Sequence, residues 1–279
     1  MENKQRRDVR PVIISGVPLS GQQLTRGFRI SGGIDGTLTR LFNSLCLDAT
    51  NGRGISPIQW NKFMIDYIRS MVESNTTLDR SSIRGNMNKE LRRASMTWNV
   101  LCKGLRFLKF EAFTISITGT VLNGKEFNSY TSVSFVPESK FAHLFPKEMT
   151  PGSAVQRKET KTGRVLQRAF TNGHKGTLAR LFNLICLNLT DGNGFSKHQW
   201  DEMLTDYIDR TEGDLSAEKK LNIRSNLNKE FRLPKMTWKV FCKGLQFLQV
   251  VSFNVHLIAY GQDSSISESE TSINFPPRM

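Results

Sequence analysis

The chain has 279 residues, room for two domains of ordinary size, and its 38% apolar residues suit two small cores better than one large one. Its 39 basic and 25 acidic residues leave a net charge of +14, which favours polyanionic partners, nucleic acid first. No run approaches the ~18 apolar residues of a membrane span and no signal-peptide pattern opens the chain, so no membrane partner is expected, and the expected location is cytoplasmic, or nuclear or nucleoid if the ligand is DNA.

Residues 1–30 form a basic arm, with six basic and two acidic residues. From residue 31 the chain writes one domain, 31–135, and after a basic linker, 136–170, writes it again over 171–279. The stretch NMNKELRRASMTWNVLCKGLRFL from Asn86 returns as NLNKEFRLPKMTWKVFCKGLQFL from Asn226, and GTLTRLFNSLCL from Gly36 returns as GTLARLFNLICL from Gly176. The offset is 140 throughout, and residues 31–110 share 36 identities with their second copy. A repeat of about 105 residues is a whole domain that buries its own core, not a solenoid unit.

Within each copy, a loop with Gly33 and Gly36, or Gly173 and Gly176, precedes a short helix carrying Leu38, Leu41, Phe42 and Leu45. The GxxG spacing resembles the loop of KH domains, but no surrounding apolar strand accompanies it, so a turn needing positive φ is expected. Next, Ser56 with Gln59, and Ser196 with Gln199, read as capping boxes, with Pro57 at a first helical position. The preceding TDGNGFS run from Thr190 lacks calcium-loop ligands: Leu189 would be the first and Trp200 the twelfth, so it reads as a turn.

The second helix carries Trp60, Met64, Tyr67 and Ile68 at helical spacing. A third helix is expected over about 80–92, with Ile83, Met87 and Leu91 inward, and Thr97 caps a fourth that ends near Leu108. Trp98, Leu101, Cys102, Leu105 and Leu108 share its core face, while Val100 and Phe107 offer a second apolar face suited to a protein interface. The period then drops to two at Phe113, Ile115 and Ile117, and again at Phe253, Val255 and Leu257, predicting a β-hairpin at the end of each copy. The expected fold class is α+β: a tandem duplication of a mainly helical domain ending in a hairpin, in winged-helix-like order.

On that order the fourth helix presents Asn99, Lys103 and Arg106 outward in the first copy, and Lys239 and Lys243 in the second. The third helix adds Arg84, Asn88, Lys89 and Arg92, repeated as Arg224, Asn228, Lys229 and Arg232, with Glu90 and Glu230 placed to pair with a neighbouring cation. These types reach phosphates and base edges, so nucleic acid, DNA or RNA, is the expected partner. The competing reading is a structural protein whose repeats make protein contacts, within a nucleoprotein particle.

The second copy, with thirteen basic and twelve acidic residues, is only +1, against +5 for the first. Its hairpin carries Asp263, Glu268 and Glu270 with no basic neighbour, whereas Lys125 and Glu126 offset one another in the first. The first copy is therefore expected to dominate nucleic-acid binding, and the second either to dock with its helix alone or to accept a protein partner. The four Cys read as buried thiols. No phosphate loop, metal-ligand spacing or nucleophile with a nearby base is visible, so the chain reads as non-enzymatic, without cofactor or metal.

Overall fold

A computed structural model describes residues 33–74, 79–136, 173–213 and 215–275. The basic arm, and the linker beyond residue 136, lie outside them. Each copy supplies four helices and a hairpin: α1 (Thr37–Asp48), α2 (Pro57–Ser74), α3 (Arg80–Leu91), α4 (Trp98–Phe107), β1 (Phe110–Val121) and β2 (Glu126–Ser134), then α5 (Thr177–Leu189), α6 (Lys197–Glu212), α7 (Ala217–Arg232), α8 (Trp238–Phe247), β3 (Val250–Gly261) and β4 (Ile266–Asn274). The class is α+β.

The helices start where their caps dictate. Ser56 and Gln59 exchange hydrogen bonds between side chain and backbone, as do Ser196 and Gln199, completing both capping boxes. Thr97 and Thr237 accept from the amides of Val100 and Val240. Asp79 accepts from the amides of Ser81 and Ser82 to open α3. Gly33 and Gly173 have φ of 58° and 66°, the left-handed turn expected of them. Their carbonyls accept from the guanidinium groups of Arg40 and Arg180, which fills the loop from within.

α4 and α8 are the axes of their bundles. Trp98, Leu101, Cys102 and Leu105 are buried, as the spacing predicts. Val100 and Phe107 are buried too, at 7% and 1% exposure, which corrects the expectation that they form an outer interface: α1, α2 and α3 all pack on α4 and cover them. Phe107 lies against the rings of Trp60, Phe63 and Tyr67, and Phe247 against Trp200, Tyr207 and Phe231. Gly104 permits this packing, since a Cβ there would meet the Phe42 ring at 2.6 Å; Gly244 stands in the same relation to Phe182. All four Cys are buried and none is in a disulfide, and burial pushes the Cys46 and Cys102 thiols far above their ordinary range.

The strands make one antiparallel sheet in the order β2-β1-β3-β4. β1 and β2 form the first hairpin, with Phe113 opposite Val133 and Thr120 opposite Glu126. The compact units do not coincide with the sequence repeats. One unit runs through Glu111 and takes in Ile258–Thr271 from the second hairpin; the other comprises Ala112–Leu257 with Ser272 onward. Thus β2 packs on α5, and the amide of Asn188 donates to the carbonyl of Asn128. In the other unit the backbone N–H of Glu268 donates to the carboxylate of Asp48. These two contacts use equivalent positions: each hairpin touches the end of the first helix of the other copy. Neither repeat expressed alone would carry all of its unit.

Gly104→Ala is expected to lower the stability of its unit by about 1–3 kcal/mol through overpacking, read by chemical denaturation, with Gly244→Ala doing the same. The cap bonds hold Asp79 below the usual carboxylate range, down to about 2. A depressed folded value stabilises above the unfolded value and loses that stabilisation as pH falls toward about 2. The melting temperature of Asp79→Ala should therefore lie below wild type at pH 7 and converge on it near pH 2; a gap unchanged with pH would remove the cap's ionic contribution.

Candidate nucleic-acid interface

The exposed face of α4 is a single stripe. Asn99, Lys103 and Arg106 are exposed and every other residue of the helix is buried. Lys103 is already engaged: its ammonium donates to both carboxylate oxygens of Glu90 on α3, at 2.8 and 3.1 Å. Lys243 makes the same bridge to Glu230 at 2.8 Å. The sequence places Glu90 and Glu230 near a cation without singling one out; the partners are Lys103 and Lys243. Lys239 is exposed on the first turn of α8.

The α3 residues divide into two kinds. Asn88 and Asn228 accept from the indole N–H of Trp60 and Trp200, at 2.9 and 2.8 Å. They tie α3 to α2 and α7 to α6, so their amides serve the core. Arg92 also donates to Asn88, at 3.5 Å, and burial lowers the pKa of its guanidinium. Lys89 and Lys229 are exposed. The side chain of Arg232 lies outside the described residues.

Arg84 and Arg224 mark where the copies diverge. Arg224 bridges the carboxylate of Asp201 on α6 at 2.9 Å. Arg84 donates instead to the neutral amide oxygen of Asn61 at 3.0 Å. One turn earlier, Lys220 bridges Asp209 at 2.7 Å. Its counterpart Arg80 faces a helix that carries Arg69 at that position. Between them, Lys62 stands where the second copy has Glu202. Three acids of the second copy are thus Asn, Lys and Arg in the first. Lys62, Arg69 and Arg80 were not among the expected site residues. The signal was present in the sequence, in the positions where the copies differ in charge.

The hairpin charges also sort differently from expectation. Lys125 does not offset Glu126; its ammonium donates to the Leu189 carbonyl and to the Asp191 carboxylate, at 2.9 and 3.0 Å. Asp191, from the run that mimics a calcium loop, is thereby the docking point for a lysine. Among the described residues no group of three or more His, Cys, Asp or Glu is placed to hold a metal, and no helix is long and apolar enough to cross a membrane. No family model matches the chain, no curated protein matches it, and no solved structure matches it.

Asn228→Ala should destabilise the chain by about 1–3 kcal/mol, because it leaves the buried Trp200 N–H unpaired. Polyanion binding measured below the unfolding transition should stay within about twofold of wild type. A large loss of binding with unchanged stability would return Asn228 to the interface.

Proposed function

We propose that the chain is a non-enzymatic nucleic-acid-binding protein whose first copy makes the principal contact. The observation that carries this reading lies between α2 and α3: where Asp209 and Asp201 neutralise Lys220 and Arg224, the first copy sets Arg69 and the neutral Asn61 against Arg80 and Arg84, with Lys62 in place of Glu202 between them. Phosphates along a backbone are spaced to meet such a row, and each phosphate neutralised releases counterions. α4 extends the face with Asn99, Lys103 and Arg106, and Lys103 would exchange Glu90 for phosphate at little net cost, since an exposed ion pair contributes little.

In its winged-helix-like form the reading sends α4 into a groove with a hairpin beside it. The exposed i, i+4, i+7 stripe on α4 supports that form. β2 packs on α5, and Ala112–Val121 of β1, all of β2 and Val250–Leu257 of β3 share the unit of α5–α8, so the first copy's hairpin would supply a wing there. The basic arm and linker add sequence-independent phosphate contacts.

Titration by fluorescence anisotropy against duplex DNA, single-stranded DNA and RNA tests the reading. If about six phosphates are neutralised, log K should fall with log salt at a slope near about −5. Arg80→Glu with Arg84→Glu should weaken binding by at least about tenfold, because two phosphate contacts become repulsions. Lys220→Glu with Arg224→Glu should cost much less, since those cations begin paired. No binding at low salt, or equal losses from the two double variants, would sink the proposal.

A further inference from the structure

The helix that carries the basic stripe in one copy carries an acidic one in the other, and both are exposed. On α2 the outward positions 58, 62, 65 and 69 are Ile58, Lys62, Ile65 and Arg69, with Ile58 68% and Ile65 54% exposed. Their i, i+4, i+7, i+11 spacing places them on one stripe. On α6 the same positions are His198, Glu202, Thr205 and Asp209. Glu202 and its partner His198 are 62% and 81% exposed at their side chains. Asp206 adds a second outward acid. Its counterpart Asp66 is bridged by Lys109 at 2.6 Å, but Gln249 stands where that lysine would be.

Beside this acidic face lies an open depression of about 710 Å³. Phe195 and Met203 contribute apolar surface; Glu202 and Asp206 line it, and Arg224 lines it too with its charge taken by Asp201 at 2.9 Å. Apolar surface bordered by two carboxylates matches a helix stripe of two isoleucines interleaved with two cations. A phosphate backbone supplies no apolar partner for Ile58 and Ile65, whereas such a depression does.

We propose that the α2 stripe of one molecule docks on the α6 face of a second copy of this chain, joining molecules head to tail. The two surfaces are different, so the contact is heterologous: a joined pair keeps one unused α2 stripe at one end and one unused α6 face at the other, and association is open-ended. Such association is independent of nucleic-acid binding. It has a consequence for it nonetheless: a neighbour's α6 face and a polyanion would compete for Lys62 and Arg69.

Sedimentation velocity of full-length protein, freed of nucleic acid by nuclease and high-salt washing, tests it. Wild type should show weight-average mass rising with concentration at about 0.05 M salt and falling back toward monomer at about 0.5 M, as screening shortens the reach of the charges. Lys62→Glu with Arg69→Glu removes the basic stripe and keeps the α6 face. Glu202→Lys with Asp206→Lys does the reverse. Each variant, shown folded by circular dichroism and melting temperature, should remain monomeric at low salt. Mixed in equal amounts they should regain association, because the original pair of faces survives between them and the two reversed faces are complementary to each other. Ile58→Ser with Ile65→Ser, which leaves the charges intact, should weaken self-association while sparing polyanion binding. A wild type that stays monomeric at every concentration, variants that associate as wild type does, or a mixture that stays monomeric would each overturn the proposal. Loss of nucleic-acid binding with self-association intact would refute only the functional reading above.

Discussion

The close approach of α4 to α1 at Gly104, and of α8 to α5 at Gly244, governs the rest of the packing in each bundle. A methyl group at either glycine would collide with a phenylalanine ring. Without one, α4 sinks among its three neighbours and carries Phe107 into the ring cluster of α2. Trp60 is held by that cluster, and its indole N–H then takes the amide oxygen of Asn88. Asn88 lies one turn from Arg84, so the packing of an aromatic core decides where a cation on α3 is displayed. The same burial leaves α4 only three outward side chains, Asn99, Lys103 and Arg106.

Helix starts, helix faces and the hairpins were legible because each has a local cause. A capping box, a 3.6-residue period and a two-residue period are properties of a few consecutive residues. The partner of each hairpin was not legible. Alternation at Phe113, Ile115 and Ile117 states that one face of a strand is buried, but not which helices bury it. The two copies offer nearly the same apolar surface, with Leu38, Leu41 and Phe42 matched by Leu178, Leu181 and Phe182. What separates the alternatives is a handful of polar contacts between residues far apart in the chain, such as Lys125 with Asp191 and Asn188 with Asn128. The apolar second face of α4 was misjudged for a related reason: a helical wheel counts apolar positions without knowing how many neighbours will cover them.

The candidate interface was legible in part. The spacing correctly set Asn99, Lys103 and Arg106 outward. It also drew in Asn88 and Asn228, whose recurrence in both copies reflects a shared tryptophan rather than a ligand. Residues common to the copies mark what the fold needs, because each bundle must satisfy the same core. Position 60 is Trp in both, position 88 Asn in both, position 104 Gly in both, each counted in the first copy's numbers. Residues that differ are under no such common demand, and Asn61, Lys62 and Arg69 against Asp201, Glu202 and Asp209 are where the surfaces have taken separate directions.

Along the helix as a whole the exchanges go both ways, since Pro57 and Ser70 stand opposite Lys197 and Arg210. At positions 61, 62 and 69 all three move the first copy toward positive charge, and two isoleucines accompany them where the second copy has His198 and Thr205. The acids of α6 then neutralise Arg224 and Lys220 within their own unit. Glu202 and Asp206 extend beyond what that neutralisation requires. A duplicated domain in which one copy gathers cations and the other exposes surplus acid has become a directional object. On the two proposals made for it, its basic face would meet a nucleic-acid backbone or the acidic helix of another molecule. Ionic strength would weaken both contacts, but only the second would also draw on buried apolar surface.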